Sequence, residues 1–337
     1  REAVSLLREA LGKDPASQPL LGALLTLALR FEGVDAAKAI LEESPAESRK
    51  TVAVMTLEAS VAARDTAENG AAALAALETR VAELPTVEQP AVINAIASAY
   101  GAIGRPDDAV RAYRSLLERT PDNLTTWDAL FRLAEQRGNI ELAEEASRSI
   151  ARLAGDNSAE AKVAEAATLM LKTRLAAAAR AETGVEAALD ASASDALQKT
   201  RALLIEAETT RKNWAEVQLR FADVALAERD LETAISRLKQ AARLAPGNTL
   251  ITRRMVSLLH AADRIEEAVE AMALLRPEDM QGLERITADI QFRGGNFDKA
   301  VAIAETAVSD TSDNVADLTW LGQLLTRSGD TARAISL

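Results

Sequence analysis

Apolar residues recur along this chain at helical spacing, in short stretches separated by polar turns. The pattern is clearest between Pro90 and Asn157, where one unit is written twice. The two copies, each of 34 residues, are PAVINAIASAYGAIGRPDDAVRAYRSLLERTPDN and LTTWDALFRLAEQRGNIELAEEASRSIARLAGDN. Each copy contains an apolar helical stretch, a glycine-containing turn, a second apolar stretch and a polar end at Asn. A period of this length with two helices per unit predicts a helical repeat array.

The unit extends over most of the chain, because a small residue recurs near the start of each second helix. The alanines of this register, mostly 34 residues apart within each series, are Ala3, Ala37, Ala75, Ala109, Ala143, Ala234, Ala268, Ala300 and Ala334. Alanine at such a place lets two helices approach closely. Six of these alanines follow a turn signal at constant spacing: Gly104-Arg105, Gly138-Asn139, Arg229-Asp230, Asp263-Arg264, Gly295-Asn296 and Gly329-Asp330. We expect the recurring Asn123, Asn157, Asn248 and Asn314 to cap helices.

Residues at fixed places in these units resemble those of the tetratricopeptide repeat (TPR) family. Trp127 and Leu130 fill early apolar places of a first helix, Tyr100 fills a later one, and Pro121 stands at the late proline position. The resemblance implies an all-α fold, a right-handed superhelical solenoid of antiparallel helix pairs. It also implies a concave groove, lined by the first helix of each pair, that binds partner proteins.

The repeat spacing predicts three segments. Residues 1–157 form an N-terminal array, residues 158–213 are irregular with shortened repeats, and residues 214–337 form a C-terminal array. In the N-terminal array, the unit from Lys50 to Leu84 has a longer turn than usual, over Asp65 to Gly70.

The helix pairing of the middle segment has two interpretations. The first places a helix from Ser158 to about Leu171, a short helix through Ala181, a stunted helix from Gly184 to Ala191 and a helix from Asp195 to Thr210. The alternative is one longer helix across Lys172 to Arg180, because alanine-rich runs strongly favour helix.

Composition narrows the function classes. Hydrophobic residues make up 48% of the chain but aromatic residues only 3%, which suits closely packed helices built from Ala, Leu, Val and Ile. The net charge of −12 argues against binding to nucleic acid. The chain has no cysteine, and it has no apolar run long enough to cross a membrane. It begins at Arg1 and stops at Leu337 inside helices, so we expect a piece of a longer array whose incomplete ends can self-associate.

No catalytic constellation is recognisable. His260 is the single histidine, which excludes histidine triads and clusters of histidine metal ligands. Acid pairs such as Glu144-Glu145 and Glu266-Glu267 lie on predicted solvent faces, where charge pairs usually serve solvation. Gly294-Gly295 lacks the Lys-Ser/Thr of a phosphate-binding loop. We therefore expect a protein that is not an enzyme and needs neither metal nor cofactor.

The TPR resemblance also indicates which side chains line the groove. In the N-terminal array it points to Asn94 and Arg132. In the C-terminal array it points to Arg253 and Arg285. With their neighbours on the same two first helices they form a cationic strip with one aromatic residue: Arg253, Arg254, His260, Arg285, Phe292 and Arg293. Because arginine pairs well with carboxylates, the strip could hold an acidic segment or a C-terminus of a partner. The alternative is that these cations pair with acids of the chain itself, such as Asp289, Glu284 and Asp263.

The sequence therefore predicts a non-enzymatic scaffold that binds proteins or peptides in its groove. The alanine-rich, cysteine-free, acidic array is also similar to the TPR proteins of bacterial exopolysaccharide export and exosortase-linked systems. That resemblance implies a periplasmic or outer-membrane-associated location. The alternative is a cytoplasmic regulatory TPR module of a larger signalling or transferase protein.

Overall fold

The computed structural model describes residues 2–182, 191–280, 282–308 and 314–336. Over these residues it contains nineteen α-helices and no strand. The chain divides into two compact units, residues 1–157 (unit 1) and residues 158–337 (unit 2). The predicted all-α solenoid of antiparallel helix pairs is confirmed within each unit.

Unit 1 contains nine helices among its described residues. They are α1 Glu2–Lys13, α2 Gln18–Phe31, α3 Val34–Glu43, α4 Val52–Ala62, α5 Ala67–Arg80, α6 Gln89–Ala102, α7 Pro106–Arg119, α8 Leu124–Arg137 and α9 Ile140–Ala154. Helices α2 to α9 pack as consecutive pairs, and α1 packs on α2. The first helices of neighbouring pairs also touch, α2 against α4 and α4 against α6.

Unit 2 repeats this arrangement. Its helices are α10 Ala159–Glu182, α11 Ala191–Thr210, α12 Ala215–Ala227, α13 Leu231–Leu244, α14 Thr249–Ala261, α15 Ile265–Met272, α16 Glu284–Arg293, α17 Phe297–Ala307, α18 Val315–Ser328 and α19 Thr331–Ser336. Each odd-numbered helix packs on the helix before it. Several small cores, rather than one, lie between neighbouring repeats, as expected for a solenoid.

Most of the recurring alanines mark the helix crossings, but Ala3, like Ala75, is exposed and Ala334 is only half-buried. Six of them are completely buried: Ala37, Ala109, Ala143, Ala234, Ala268 and Ala300. The register through Ala75 is wrong, because Ala75 is exposed and Gly70 takes the crossing place in α5. A Cβ at Gly70 would lie 2.5 Å from the carbonyl oxygen of Ala62, so this crossing is too close even for alanine. The predicted turn over Asp65 to Gly70 is accordingly shorter, since Thr66 caps α5 and the helix begins at Ala67.

The six predicted turns share one backbone conformation. Their first residues all adopt positive φ, including the two without glycine, Arg229 at 62° and Asp263 at 60°. Asn123, Asn248 and Asn314 accept hydrogen bonds from backbone N–H groups of the following helices. Asn157 does not cap α10; Ser158 does, accepting from Ala161 N at 3.1 Å, because the helix begins one residue later than predicted.

In the irregular segment, α10 is one helix of 24 residues. The prediction of two short helices over this stretch is wrong and the single longer helix is right. Neither glycine nor proline interrupts residues 159–182, and the alanine-rich sequence favours continuation. The stunted helix predicted from Gly184 to Ala191 lies almost entirely outside the described residues. Helix α11 covers the predicted stretch from Asp195 to Thr210 and begins four residues earlier, at Ala191.

Candidate functional site

The residues of the predicted cationic strip lie on two neighbouring first helices of unit 2. Arg253, Arg254 and His260 belong to α14, and Arg285, Phe292 and Arg293 belong to α16. The structure surrounds these cations with acids of the same unit. We call the resulting set of contacts on α12, α14, α16 and α18 the ion-paired face.

Arg254 illustrates the arrangement. Its guanidinium forms an ion pair with Asp223, which lies on α12, the first helix of the preceding repeat. Asp223 is also 3.6 Å from Arg220, and Arg220 lies 2.8 Å from Glu216. Acidic and basic side chains therefore alternate along α12, and Arg254 connects them to the next repeat.

His260 and Arg293 share an acid. The Nε2 atom of His260 lies 2.7 Å from Oδ2 of Asp289, and Nε of Arg293 lies 2.8 Å from the same oxygen. Arg293 also forms an ion pair with Asp263, in the turn that follows α14. Two predicted strip residues are thus held by Asp289 and Asp263, two of the three acids that the sequence offered as alternative partners.

Arg285 reaches forward to α18. It forms an ion pair with Asp317, and its guanidinium lies 4.8 Å from the centre of the Trp320 ring. Phe292 is half-buried and makes an edge-to-face contact with Phe297, with ring centres 4.9 Å apart. The aromatic residue of the strip therefore packs between α16 and α17.

Arg253 donates to a carbonyl rather than to a carboxylate. Its Nη1 lies 2.5 Å from the backbone oxygen of Asp279. The Asp279 carboxylate accepts from Arg276 at 2.7 Å, and this bond, with a smaller contribution from the charge of Arg253, holds the pKa of Asp279 below its usual range. Every cation of the strip thus has a partner on its own unit.

The two predicted groove residues of unit 1 differ from each other. Asn94 is exposed on α6. Arg132, on α8, pairs with Asp128 one turn earlier at 3.0 Å. Arg132 therefore belongs to a local pair on its own helix, whereas Asn94 belongs to a surface with very little charge.

That surface is the solvent-exposed side of the first helices α2, α4 and α6, which we call the charge-poor face. The three helices contain only two charged residues, Arg30 and Glu58. Glu58 is buried, where it accepts from Arg49 at 2.9 and 3.1 Å and from Arg80 at 2.5 Å. Apart from Arg30 at the end of α2, the exposed and half-buried positions of the face are uncharged: Ala23, Thr26, Ala53, Thr56, Ser60, Ala91, Asn94 and Ser98.

An open groove of about 650 Å³ runs along this face between α2 and α4. Its lining is mainly apolar: Gln18, Pro19, Gly22, Ala23, Thr26 and Leu27 from α2, and Thr51, Ala53 and Leu57 from α4 and its cap. Ligand sites in proteins typically have such volumes and apolar linings, with few polar groups. The groove is larger than a second pocket of unit 1, of about 290 Å³, between α1, α2 and the end of α3.

Sequence reasoning missed this groove, although the signal was present. The sequence prediction was based on charged side chains of the first helices, and the strongest cluster of these lies in unit 2. The relevant signal is the lack of charge on α2, α4 and α6 in a chain of net charge −12. It can be recognised in the sequence once the bounds of these helices are known.

Other kinds of site find no support in the described residues. They contain no group of three His, Cys, Asp or Glu side chains arranged to hold a metal ion. None of their helices is both long and apolar enough to cross a bilayer.

Comparisons with known proteins agree with the repeat pattern. Two tetratricopeptide repeat family models match, one over residues 91–123 and one over residues 225–288. Comparison with curated protein sequences gives no match. A thermophilic TPR protein of Thermus thermophilus is 18% identical, with 61% of this chain and 97% of that chain covered and a TM-score of 0.45. PilW, a type IV pilus biogenesis factor, is 14% identical, with 69% and 98% covered and a TM-score of 0.43.

Proposed function

Because the chain is a tetratricopeptide repeat protein, we propose that it is a non-enzymatic scaffold that binds a partner protein along the charge-poor face of unit 1. The groove between α2 and α4 is the observation that carries this proposal. It offers apolar surface that no other described part of unit 1 covers, on the helices that line the binding groove in this family.

The rest of the face is compatible with such a partner. Its exposed side chains are short, so a bound segment can approach the helix backbones closely along α4 and α6. Few charges have to be stripped of water when a partner covers them, which keeps the desolvation cost of binding low.

Affinity capture with groove-filling variants tests the proposal. Ala23 and Ala53 are exposed lining residues, so Ala23→Phe and Ala53→Phe should fill the groove and leave the helices folded. We expect a partner that the wild-type chain retains to be lost with both variants. The control is Arg148→Gln with Arg152→Gln on α9, two exposed residues away from the groove. Equal recovery by the wild type and both groove variants would contradict the proposal.

The ion-paired face is a second candidate surface for the same function. Arg285 and Arg293 keep 51% and 44% of their side chains exposed despite their ion pairs. An acidic segment or C-terminus of a partner could bind there only in exchange for Asp317, Asp289 and Asp263. Arg253→Ala with Arg285→Ala tests this proposal: loss of an acidic partner supports it, and normal binding by the double variant removes it.

The cellular setting is a separate proposal. The alanine-rich, cysteine-free, acidic composition supports a scaffold of bacterial exopolysaccharide export in the periplasm or at the outer membrane. Fractionation of the source cells tests it. Recovery of the protein in the periplasm together with a polysaccharide-processing partner would support the export scaffold. Recovery in the cytoplasm, fused to a signalling or transferase domain, would support the regulatory module instead.

A further inference from the structure

The groove between α2 and α4 has a direction. Gly22 faces Leu57, since a Cβ at Gly22 would lie 3.8 Å from Cδ1 of Leu57. Farther along, Nη1 of Arg64 donates to the carbonyl oxygen of Leu29 at 3.1 Å. Both contacts join residues 35 apart, so the two helices run parallel and in register. The groove therefore leads from Gln18 and Thr51 toward Leu29 and Arg64.

Two arginines stand at the far end of the groove. Arg30 follows Thr26 by four residues, which places it one turn beyond the lining on the same side of α2. Arg64 follows the last turn of α4, and its bond to Leu29 holds its guanidinium at the C-terminal end of α2. A guanidinium has five N–H donors, so this single bond leaves most of them available.

Neither arginine pairs with a carboxylate within the described residues. The guanidinium of Arg30 only packs over the Phe31 ring, at 5.3 Å from its centre. The nearby acids bind other cations, because Glu32 pairs with Arg8 at 2.7 Å and Asp65 pairs with Lys38 at 2.7 Å. The hydrogen bond from Lys38 holds the pKa of Asp65 below its usual range, so this carboxylate stays charged beside Lys38.

We propose that the groove binds a partner segment with an apolar anchor and a carboxylate at the arginine end; this inference rests on the proposed function. The anchor packs in the groove over Gly22 and Leu57, and the carboxylate accepts from Arg30 and Arg64. Eight helical residues separate Gly22 from Arg30, about 12 Å at roughly 1.5 Å per residue. An extended chain covers that distance in about three to four residues.

Selection from a random dodecapeptide display library on the full chain tests the inference. The expected consensus is an apolar residue followed three or four positions later by Asp, Glu or a free C-terminus. The selected peptide is then labelled and titrated by fluorescence anisotropy. Arg30→Gln with Arg64→Gln should weaken binding at least tenfold, and Arg30→Lys with Arg64→Lys should restore part of it.

A matched peptide isolates the charge. Replacing the acidic residue of the peptide by its amide should weaken binding by the same factor as the double Gln variant. Combining the two changes should add little, since they remove the same interaction. The control Arg148→Gln with Arg152→Gln should bind like the wild type. Thermal unfolding midpoints within about 2 °C of the wild type would exclude a folding defect as the cause.

The outcomes separate this inference from the proposed function. If Ala53→Phe abolishes peptide binding but the arginine variants do not, the groove binds partners and the carboxylate inference is overturned. If selected peptides carry no acid, or no peptide is enriched, the inference is likewise overturned, and the capture experiment alone decides whether unit 1 is the scaffold surface.

Discussion

The first helices α2, α4 and α6 of unit 1 and the first helices α12, α14, α16 and α18 of unit 2 expose opposite kinds of side chain to solvent. In unit 2, cations and acids on α12, α14, α16 and α18 pair from one repeat to the next, as in Arg254–Asp223 and Arg285–Asp317. In unit 1, α2, α4 and α6 carry almost no charge, and their single acid, Glu58, is buried between two arginines. Charge on a groove helix is therefore not by itself a sign of a binding site. In unit 2 charged side chains connect repeats, whereas in unit 1 their absence accompanies the apolar groove that we propose as the binding surface.

The largest expected effect comes from Glu58. Glu58→Gln leaves Arg49 and Arg80 without their carboxylate and should destabilise the repeats around α4 and α5 by about 2–3 kcal/mol. That is below the ~3–5 kcal/mol of a fully buried pair, because both arginines keep some contact with solvent. Asp317→Asn on the ion-paired face should cost no more than about 1 kcal/mol, because exposed ion pairs contribute little. Hydrogen exchange of the amides in each unit measures both effects; equal losses would remove the contrast.

Glycine substitutions separate packing positions from groove positions in unit 1. Gly70→Ala should destabilise the unit by about 2 kcal/mol, because its methyl group would overlap the Ala62 carbonyl. Gly22→Ala meets only ordinary contact at 3.8 Å and should stabilise α2 by about 0.5–1 kcal/mol through helix propensity. Urea denaturation of each variant checks the signs. A neutral Gly70→Ala would mean that the α4–α5 crossing is looser than described.

Turns provide a smaller contrast. Unit 2 places Arg229 at positive φ, where unit 1 uses glycine at Gly104 and Gly138. Relief of left-handed strain should make Arg229→Gly more stable by about 0.5–1 kcal/mol, whereas Gly138→Ala should cost about 1 kcal/mol. Thermal unfolding of the two variants should therefore shift in opposite directions, and shifts of the same sign would refute this reading of the turns.

The smallest expected effect concerns the stability of the fold at acidic pH. Hydrogen bonds from Thr233 hold the pKa of Asp230 below its usual range, and the bond from Lys38 does the same for Asp65. A carboxylate with a lowered folded-state pKa stabilises the fold above its unfolded pKa, about 3.9, and this contribution disappears as pH falls through the folded pKa. Asp230→Asn keeps a capping oxygen without the titration, so its stability should fall less than that of the wild type between pH 5 and pH 3. An identical fall would exclude Asp230 as a contributor.

Much of the fold could be predicted because small residues and turn residues recur at a fixed spacing in each repeat. Ala109, Ala143, Ala234 and Ala268 mark crossings that depend only on local spacing. The prediction failed in α5, where both Ala75 and Gly70 were small residues that could mark the crossing. Alanine is so common that Ala75 matched the period by chance, and the true crossing, Gly70, could be recognised only from its distance to Ala62.

The candidate site was harder to predict, because its character depends on which side chains meet across helices. Arg253, Arg285 and Arg293 are distant in sequence from most of their partners, so sequence alone could not decide between a binding strip and a set of ion pairs. The groove between α2 and α4 depends on the space left between two helix surfaces. No periodic pattern encodes that space.

Site-specific photo-crosslinking tests the central contrast most directly. A photoreactive amino acid is placed at Thr26 or Asn94 on the charge-poor face, and at Ser257 or Thr319 on the first helices of unit 2. We expect the captured partner to crosslink to Thr26 and Asn94 and not to Ser257 or Thr319. Crosslinks confined to Ser257 and Thr319 would contradict this expectation and would make the ion-paired face the binding surface.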